Sequence, residues 1–395
     1  MPCIYPPSKS WTAASPRPLR SHTLRSSVPI VEDGLLAEVG GNSSGGTANT
    51  ILSDDLTLEQ PFPLMYSEFA TPSSLIQTPG APPIGTDWFL APESWKIFQT
   101  ADSSTFVPAR IATMKKYTTV LQAWFERWII NGSNPFIHSR LYSANFPACV
   151  QVAYATLASY IHRTPANADT VLQIVGDRSN NLLLENGAVM GSTAAEEWAD
   201  GEQQDVDLFS QLSRLHALMV YQIIGLFDGD IRARHIAEGH MAIQDSWANK
   251  LFRLASKTLS NTHSVATHLV GGLPRPSTYS QQQWYLWILS ESIRRTWLIA
   301  ASVFAIYSAL QQRWAVCPGS IMYTNRSGLW NATSSAEWEK LCLEKNVAFL
   351  QRFQCAATLP ENTEPGDIDE FGHAMLDMAV DGELLEKWRD RSRGL

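Results

Sequence analysis

The stretch WYLWILSESIRRTWLIAASVFAIYSALQQRW, residues 284–314, carries the longest helical pattern in this chain. Its apolar side chains recur at a sustained step of three and four, which is the period of an α-helix. The positions that carry the step are Leu286, Leu289, Ile293, Trp297, Ala300, Phe304 and Tyr307. The spacing therefore predicts one long helix around which the rest of the domain packs.

Within that helix, residues 297–310 are apolar on every side, as a membrane span would be. These 14 residues are short for a span, because crossing the hydrocarbon needs about 20. Arg294 and Arg295 precede the segment, and Arg313 follows it. A helix that is apolar all round more often lies inside a helical bundle. We therefore interpret the segment as core and expect no membrane contact.

Six other segments show the same helical step, and none of the sequence alternates as a strand would. They are residues 114–128, 147–161, 208–223, 231–254, 335–353 and 368–388. Apolar stripes on successive helices must be buried against one another. The predicted fold class is therefore all-α, with one large helical domain over residues 96–395 and no tandem repeat.

Residues 1–95 differ in composition from the rest of the chain. They hold 13 of its 22 prolines, and residues 26–95 contain nine acidic side chains but no Lys or Arg. The tract GGNSSGG at 40–46 is of low complexity. A structureless loop of this length is unusual inside a compact domain. We therefore predict a disordered arm, rich in Pro, Gly and Ser, that precedes the helical domain.

Within the arm, the segment ILSDDLTLEQPFPLMYSEFA at 51–70 mixes acidic residues with Leu, Phe, Met and Tyr. Such a mixture is typical of a disordered activation region, whose charges keep apolar side chains available to a partner groove. The alternative is an ordinary linker with a few residues docked on the domain. Composition alone favours the linker.

Charge and cysteine content exclude several classes of function. The 395 residues carry 30 basic and 38 acidic side chains, a formal net charge of −8, which argues against a broad basic surface for nucleic acid. The five cysteines are Cys3, Cys149, Cys317, Cys342 and Cys355. They form no C-x-x-C pair, which excludes a disulfide framework and a zinc site built mainly of thiolates. We expect no cofactor in this chain as written.

Two motif matches are weak as catalytic signals. Residues 41–45 read G-x-S-x-G, but a nucleophile elbow needs a strand before the serine and a helix after it. His235 and His240 lie five residues apart, which turns them about 140° around a helix and away from a common metal ion. We interpret them as a helix-surface pair, and no catalytic residue is predicted.

Two charged clusters lie on apolar helices or at their ends. One is Glu291 with Arg294 and Arg295, and the other is Asp228, Asp230, Arg232 and Arg234. The functional interpretation is an effector pocket or a partner contact. The structural interpretation is ion pairs that tie helices together, and it is favoured because charges persist in cores only when they are paired.

The same segments carry a resemblance to a known family. They are WFERWIINGSNPFIHSRLY at 124–142, LFDGDIRARHIAEGH at 226–240, WILSESIRRTWLIA at 287–300, RSGLWNATSSAEW at 326–338 and GDIDEFGHAML at 366–376. In this order the chain resembles the helical regulatory region of the fungal binuclear zinc-cluster transcription factors, over roughly residues 110–390. The resemblance implies a helical fold, a nuclear location and control of transcription by RNA polymerase II. Some relatives regulate biosynthetic gene clusters.

The zinc cluster of that family is missing from this sequence. The family holds two zinc ions with six cysteines near the start of the chain, beside a helix that enters the major groove. Residues 2–6, Pro-Cys-Ile-Tyr-Pro, resemble only the end of such a cluster. Cys3 would be a zinc ligand if the cluster lies upstream, and an exposed thiol if this is a short form. No DNA-binding residue is therefore predicted in this chain.

The sequence leads to a transcription regulator that acts through a helical domain, sensing an effector or binding a partner. The expected partners are other transcription factors or co-regulators, with a small-molecule effector as a further candidate. DNA would be contacted indirectly or through a missing N-terminal domain. The alternative is a modulator without a zinc cluster that binds a full-length relative. An enzyme with a hydrophobic pocket between helices is the third hypothesis.

Overall fold

The computed structural model describes residues 88–98, 107–108, 111–187, 207–260, 272–315, 318–344, 350–352, 364–380 and 382–392. Within these ranges lie nine α-helices: α1 Ile111–Asn131, α2 Ala148–Ile161, α3 Ala168–Glu185, α4 Leu208–Phe227, α5 Ile231–Ser260, α6 Tyr279–Gln312, α7 Ser335–Leu343, α8 Glu370–Ala379 and α9 Gly382–Ser392. The predicted all-α fold class is confirmed.

The predicted long helix is α6, and it forms the centre of the molecule. Every residue from Leu286 to Val303 is buried. By length and composition α6 could cross a membrane, but 78% of its most apolar window is buried inside the protein. It begins where the Thr278 hydroxyl accepts a hydrogen bond from the Gln281 N–H, and ends where Arg313 turns left-handed at φ 68°. The helix packs against α1, α4, α5 and α7.

A second layer of helices surrounds this centre. α4 is buried along nearly its whole length and packs against α2, α3, α5 and α6. α4 and α5 approach closely at Gly225, where an added Cβ would lie 2.7 Å from Ala237 Cβ and 3.0 Å from the Ala233 carbonyl oxygen. Only glycine fits there without displacing α5. α3, in whose sequence ADTVLQIVGDRSNNLLLE half of the residues are polar, was not predicted from the sequence.

The described residues also contain four short strands, which the sequence did not predict. β1 (Val107–Pro108) pairs antiparallel with β2 (Trp314–Ala315), and β3 (Met322–Thr324) pairs antiparallel with β4 (Leu350–Arg352). Strands of two or three residues are too short to show an alternating pattern. β4 also lies inside the helix predicted for 335–353. That helix ends at Leu343, because Glu344 takes an extended conformation.

The last predicted helix, 368–388, is in fact two helices. Val380 takes an extended conformation at φ −102° and ψ 153°, which ends α8 before α9 begins. α9 packs on a small apolar cluster that is separate from the main core. Its members are Ile368, Leu376, Val380, Leu385 and Trp388.

The segment Trp88–Phe98, called the strap below, packs on the helical body. It contains the 3₁₀ turns Trp88–Leu90 and Pro92–Trp95, and Phe98 pairs with Ser320 through two backbone hydrogen bonds. Phe89 is 0% and Trp95 is 3% exposed. Residues 88–95 were assigned to the disordered arm, so the packed body begins earlier than predicted. The rest of the arm, with residues 2–6 and the segment 51–70, lies outside the described residues.

Candidate functional site

Arg295 lies in the middle of α6 and is 1% exposed. Its Nη1 donates to the Pro135 carbonyl at 2.7 Å, and its Nη2 donates to the Thr324 carbonyl at 2.8 Å and to Asp369 Oδ2 at 2.5 Å. These acceptors belong to the loop after α1, to β3 and to the residue that precedes α8. One side chain therefore joins three separate parts of the chain to the central helix.

Glu291, one turn earlier on α6, is also fully buried. Its Oε1 accepts from Arg295 Nε at 3.2 Å and from the Thr324 N–H at 2.8 Å, and its Oε2 accepts from Thr324 Oγ1 at 3.2 Å. Buried charges are tolerated when they are paired and hydrogen-bonded in this way. We call Glu291, Arg294, Arg295, Thr324 and Asp369 the Arg295 cluster.

Arg294 points away from Arg295, toward the strap. Its Nη2 donates to the Phe89 carbonyl at 2.5 Å and to Ser94 Oγ at 2.8 Å, and its Nε donates to the Ser94 carbonyl at 3.3 Å. The guanidinium carbon lies 4.1 Å from the centre of the Trp95 ring. Burial lowers the pKa of Arg294 to about 10, and Glu291 opposes this shift. Arg294 thus fixes the strap to α6.

Aromatic rings enclose the Arg295 guanidinium. Its carbon lies 4.2 Å from the Trp330 ring centre and 4.7 Å from that of Phe371, distances typical of cation–π contacts. The His138 ring meets Trp330 edge-on at 5.0 Å. Burial, together with the charges of Arg295 and Arg140, lowers the pKa of His138 to about 3. His138 is therefore neutral at physiological pH.

The sequence segments that carry the family resemblance meet around this arginine. Pro135 comes from the segment 124–142, Arg295 from 287–300, Trp330 from 326–338 and Asp369 from 366–376. Residues up to 234 positions apart (Pro135 to Asp369) are thus brought to one side chain. Four of the five segments are structural neighbours rather than independent motifs.

The second predicted cluster lies at the corner between α4 and α5. Asp228 Oδ2 accepts from the Tyr160 hydroxyl at 2.6 Å and from Arg163 Nη2 at 2.9 Å. Asp230 Oδ1 accepts from the Ala233 N–H at 2.7 Å and so caps α5, as acidic residues at helix starts do. Arg232 is exposed and Arg234 is half-buried. The structure does not bring these four side chains to one point.

A groove adjoins the Arg295 cluster on the outer side of α8. Asp369 connects the cluster to the helix that forms one wall of the groove. Its Oδ1 accepts from the Gly372 N–H at 2.7 Å and caps α8, and its Oδ2 binds Arg295. The groove has a volume of about 350 Å³ and is lined by residues of α1, α8 and α9, with Trp124 in its wall. We call it the α8 groove.

Charged side chains cross the α8 groove. Glu370 accepts from Trp124 Nε1 at 2.6 Å and from Arg127 Nη1 at 2.7 Å. Asp377 binds Lys116 at 3.0 Å and Arg389 at 2.7 Å. Burial acts to raise the pKa of Asp377, but the hydrogen bonds and charges of Arg389 and Lys116 outweigh it and lower this pKa. The groove therefore combines an aromatic wall with paired ions.

The part of the chain that the structure describes contains no set of side chains that could hold a zinc ion. Cys149 lies on α2 and Cys342 on α7, and in these residues no three His, Cys, Asp or Glu side chains converge. His240 is buried and bonds Ser179 Oγ at 2.9 Å, whereas His235 is exposed. A zinc cluster does not fit these residues. The G-x-S-x-G motif and Cys3 lie outside the described ranges.

The sequence predicted the two arginines together with Glu291, but not their other partners. Ser94 was placed in the arm, and Thr324 and Asp369 were not singled out. Asp369 had a usable signal, because an Asp immediately before a helical segment is a preferred N-cap residue. Thr324 contributes through its backbone as well as its hydroxyl, which side-chain chemistry cannot reveal from sequence.

The chain is similar to a protein named Transcription factor gsfR2 of Penicillium aethiopicum. The two are 26% identical over 299 residues, which cover 74% of this chain and 65% of that relative. The chain thus spans less than two thirds of the relative's length. No family model and no solved structure matches the chain. The similarity to a fungal transcription factor supports a role in transcription regulation.

Proposed function

We propose that this chain is a fungal regulator of transcription by RNA polymerase II, which acts in the nucleus through its helical body. The observation that carries the proposal is the similarity to transcription factor gsfR2, which extends along 74% of the chain. Because that relative is a transcription factor and not an enzyme, the similarity favours a role without catalysis.

The arrangement around Arg295 supports the more specific resemblance to the zinc-cluster family. Four of the segments that carry this resemblance meet at one buried side chain. On this resemblance, the proposal extends to the helical regulatory region of that family. Because some members of the family regulate biosynthetic gene clusters, it includes pathway-specific control of such a cluster.

The α8 groove is the proposed contact site for an effector or a co-regulator. It has the size of a small-molecule site, with apolar and aromatic walls beside a few charged groups. Its α8 wall is held in place by Asp369, so that the Arg295 cluster fixes the shape of the groove from inside. Arg295 is thus a positioning residue for this site.

A reporter assay tests the proposal. The full chain is fused to a heterologous DNA-binding domain, and reporter output is compared with that of the DNA-binding domain alone on basal and activated promoters. We expect output to rise or fall with the fusion. The Arg295→Met fusion should lose the effect, and the exposed-site control Arg232→Met should keep it. An unchanged output from a nuclear, intact wild-type fusion contradicts the proposal.

A second candidate function is that of a modulator which acts on a full-length relative, and it applies if no zinc cluster precedes this sequence. The 395 residues contain five cysteines, fewer than the six that a binuclear cluster needs. A modulator that binds a full-length relative would not need its own cluster. If this is the function, adding the chain to a zinc-cluster protein on its DNA site should shift or dissolve the complex in a gel-shift assay. No change at saturating chain concentration contradicts it.

A further inference from the structure

The strap lies on the helical body in the manner of a bound peptide. Phe89 meets the edge of Trp338 on α7, with ring centres 6.4 Å apart, and Trp95 packs on Phe252 of α5 at 5.4 Å. Arg294 of α6 lies between these two contacts and binds the backbone of the strap. The groove therefore recognises two aromatic side chains six residues apart and the peptide backbone between them.

The strap offers no negatively charged partner to the Arg294 guanidinium. Its three acceptors there, the Phe89 carbonyl, the Ser94 carbonyl and Ser94 Oγ, are all neutral. Its Nη1 has no hydrogen-bond partner, and lies 3.7 Å from Glu291 Oε2. Hydrogen bonds to a carboxylate are roughly twice as strong as those to neutral acceptors. A buried cation held mainly by carbonyls is thus able to accept a better partner.

The carboxylates of Glu291 and Asp369 form their hydrogen bonds with Arg295 and its neighbours. Both oxygens of Glu291 accept from Arg295 or Thr324, and Asp369 divides its oxygens between Arg295 and the N-terminus of α8. Neither gives Arg294 a hydrogen bond in the described residues. The pairing is therefore asymmetric, because both carboxylates bond directly to Arg295, whereas the only carboxylate near Arg294 in the described residues is that of Glu291, at 3.7 Å.

Other donors near the strap also lack acceptors. The indole N–H groups of Trp95, Trp287 and Trp338 are buried and have no hydrogen-bond partner. Trp338 contacts both Phe89 and Trp287, with ring centres 6.4 and 5.8 Å away. An excess of buried donors is complemented by a ligand rich in acceptors. An acidic group has this property, because an ionised carboxylate only accepts hydrogen bonds.

We propose that the groove beneath the strap is a recognition site for an acidic–aromatic peptide segment of a partner protein. Such a segment has aromatic residues where the strap has Phe89 and Trp95, and an Asp or Glu in the position of Ser94, where its carboxylate pairs with Arg294. The strap occupies the groove within the same chain and competes with the partner. Peptide binding does not depend on the proposed function; only the identification of the partner as a co-regulator rests on it.

A pair of matched peptides tests the proposal. Both have the sequence of residues 86–100 with a fluorescent label, one with Ser94→Asp and the other with Ser94→Asn. The receptor is the full chain carrying Phe89→Ala, which weakens its own strap so that the peptide can enter. We expect the Asp peptide to bind about tenfold more tightly than the Asn peptide by fluorescence anisotropy. Adding Arg294→Gln to the receptor should abolish this difference.

A second measurement does not require a weakened strap. Lys96 is exposed and follows 70 residues without Lys or Arg, so tryptic cleavage after it yields one recognisable fragment, residues 26–96. In the full chain, Ser94→Asp should slow this cleavage several-fold relative to Ser94→Asn, beyond the ratio of cleavage rates measured on the two free peptides, because it strengthens the bond to Arg294. This assay tests the peptide-recognition proposal if the Phe89→Ala chain does not fold.

The proposal is overturned if the folded receptor binds neither peptide, or binds both equally. Cleavage of the Ser94→Asp chain that is no slower, relative to the Ser94→Asn chain, than on the two free peptides also overturns it. Both assays use purified protein without DNA. A negative reporter assay combined with Arg294-dependent peptide binding would therefore reject the regulator function and keep the binding site.

Discussion

The Arg295 cluster and the cluster around Asp228 were predicted from the same kind of signal, charged residues on or beside apolar helices, yet they differ in structure. Arg295 is 1% exposed and binds residues from three distant parts of the chain. Asp228 binds Arg163 in a pair whose side chains are 11% and 28% exposed. The comparison shows how position along a helix determines what a charge does.

Charges in the middle of a buried helix depend on distant partners. The backbone of α6 uses its own polar groups within the helix, so Arg295 must find acceptors elsewhere. At the end of a helix, local partners are sufficient. Asp230 caps α5 through an N–H three residues away. The first arrangement ties the fold together, whereas the second stabilises one helix.

The largest expected effect is that of Arg295→Met, which tests whether the Arg295 cluster holds the fold. The variant leaves Asp369 buried without its cation and Glu291 with Arg294 alone, at 3.7 Å, and breaking a buried pair in this way costs about 3–5 kcal/mol. We expect a fall in the melting temperature of about 10 °C by circular dichroism. Arg232→Met is the matched control, and as an exposed change it should stay within about 0.5 kcal/mol. Similar melting of both variants contradicts the comparison.

Asp369 and Asp230, which cap α8 and α5, provide a second test of the comparison. Asp369→Ala removes both the cap of α8 and a partner of Arg295, and we expect a loss of about 3 kcal/mol in the free energy of unfolding. Asp230→Ala removes a cap alone and should cost about 1 kcal/mol. Urea denaturation of the two variants gives both values. Equal losses would show that the Asp369–Arg295 pair adds no stability.

Acid should weaken the fold through buried histidines. Burial lowers the pKa values of His138, beside Arg295, and of His216 to about 3, while an unfolded histidine titrates near 6.5. Below pH 6.5 the unfolded chain therefore binds protons that the folded chain does not, and stability falls as the pH drops toward 3. At pH 5.5 the loss should be about 1 kcal/mol per histidine.

Urea denaturation between pH 7.5 and 5.5 measures this loss. His138→Gln should make the pH dependence shallower, whatever its effect on stability at pH 7.5. A free energy of unfolding that does not change over this range would show that neither histidine is kept neutral by the fold.

The smallest effect is expected for the coupling between Asp228 and Arg163. Because both side chains reach solvent, a double-mutant cycle with Asp228→Asn and Arg163→Met should give a coupling of about 1 kcal/mol or less. Chemical denaturation of the wild type, both single variants and the double variant supplies the cycle. A coupling energy as large as that of a fully buried pair would contradict the proposed difference between the Arg295 cluster and the Asp228–Arg163 pair.

Periodicity in the sequence predicted the helices whose apolar stripe is strong. α1, α2, α4, α5 and α6 all lie where the three-four step indicated. α3 was missed because half of its residues are polar, and the apolar residues of its buried face are Val171, Val175, Leu182 and Leu183, with Gly176 and Ser179 between them. A stripe so sparse is not visible until α2, α4 and α5 are in place against it.

The candidate site was less predictable, because its partners are set by tertiary contacts. Glu291 and Arg295 follow from local spacing, at i and i+4. Asp369, 74 residues further on, does not. Residues 88–95 of the strap were assigned to the arm because they continue a segment without basic residues that is rich in proline. Its burial depends on Phe89 and Trp95 meeting aromatic side chains of α7 and α5, which composition does not encode.

The separate apolar cluster beneath α9 implies two levels of cooperativity. Five side chains hold this helix, against dozens in the main core, so its opening should cost only a few kcal/mol. In native-state hydrogen exchange, the amides of α9 should exchange through this local opening. Those of α6 should exchange only through global unfolding. Each opening would uncover the α8 groove, because Leu385 and Arg389 form one of its walls. The accessibility of the α8 groove thus depends on how often α9 opens as well as on the shape of the groove.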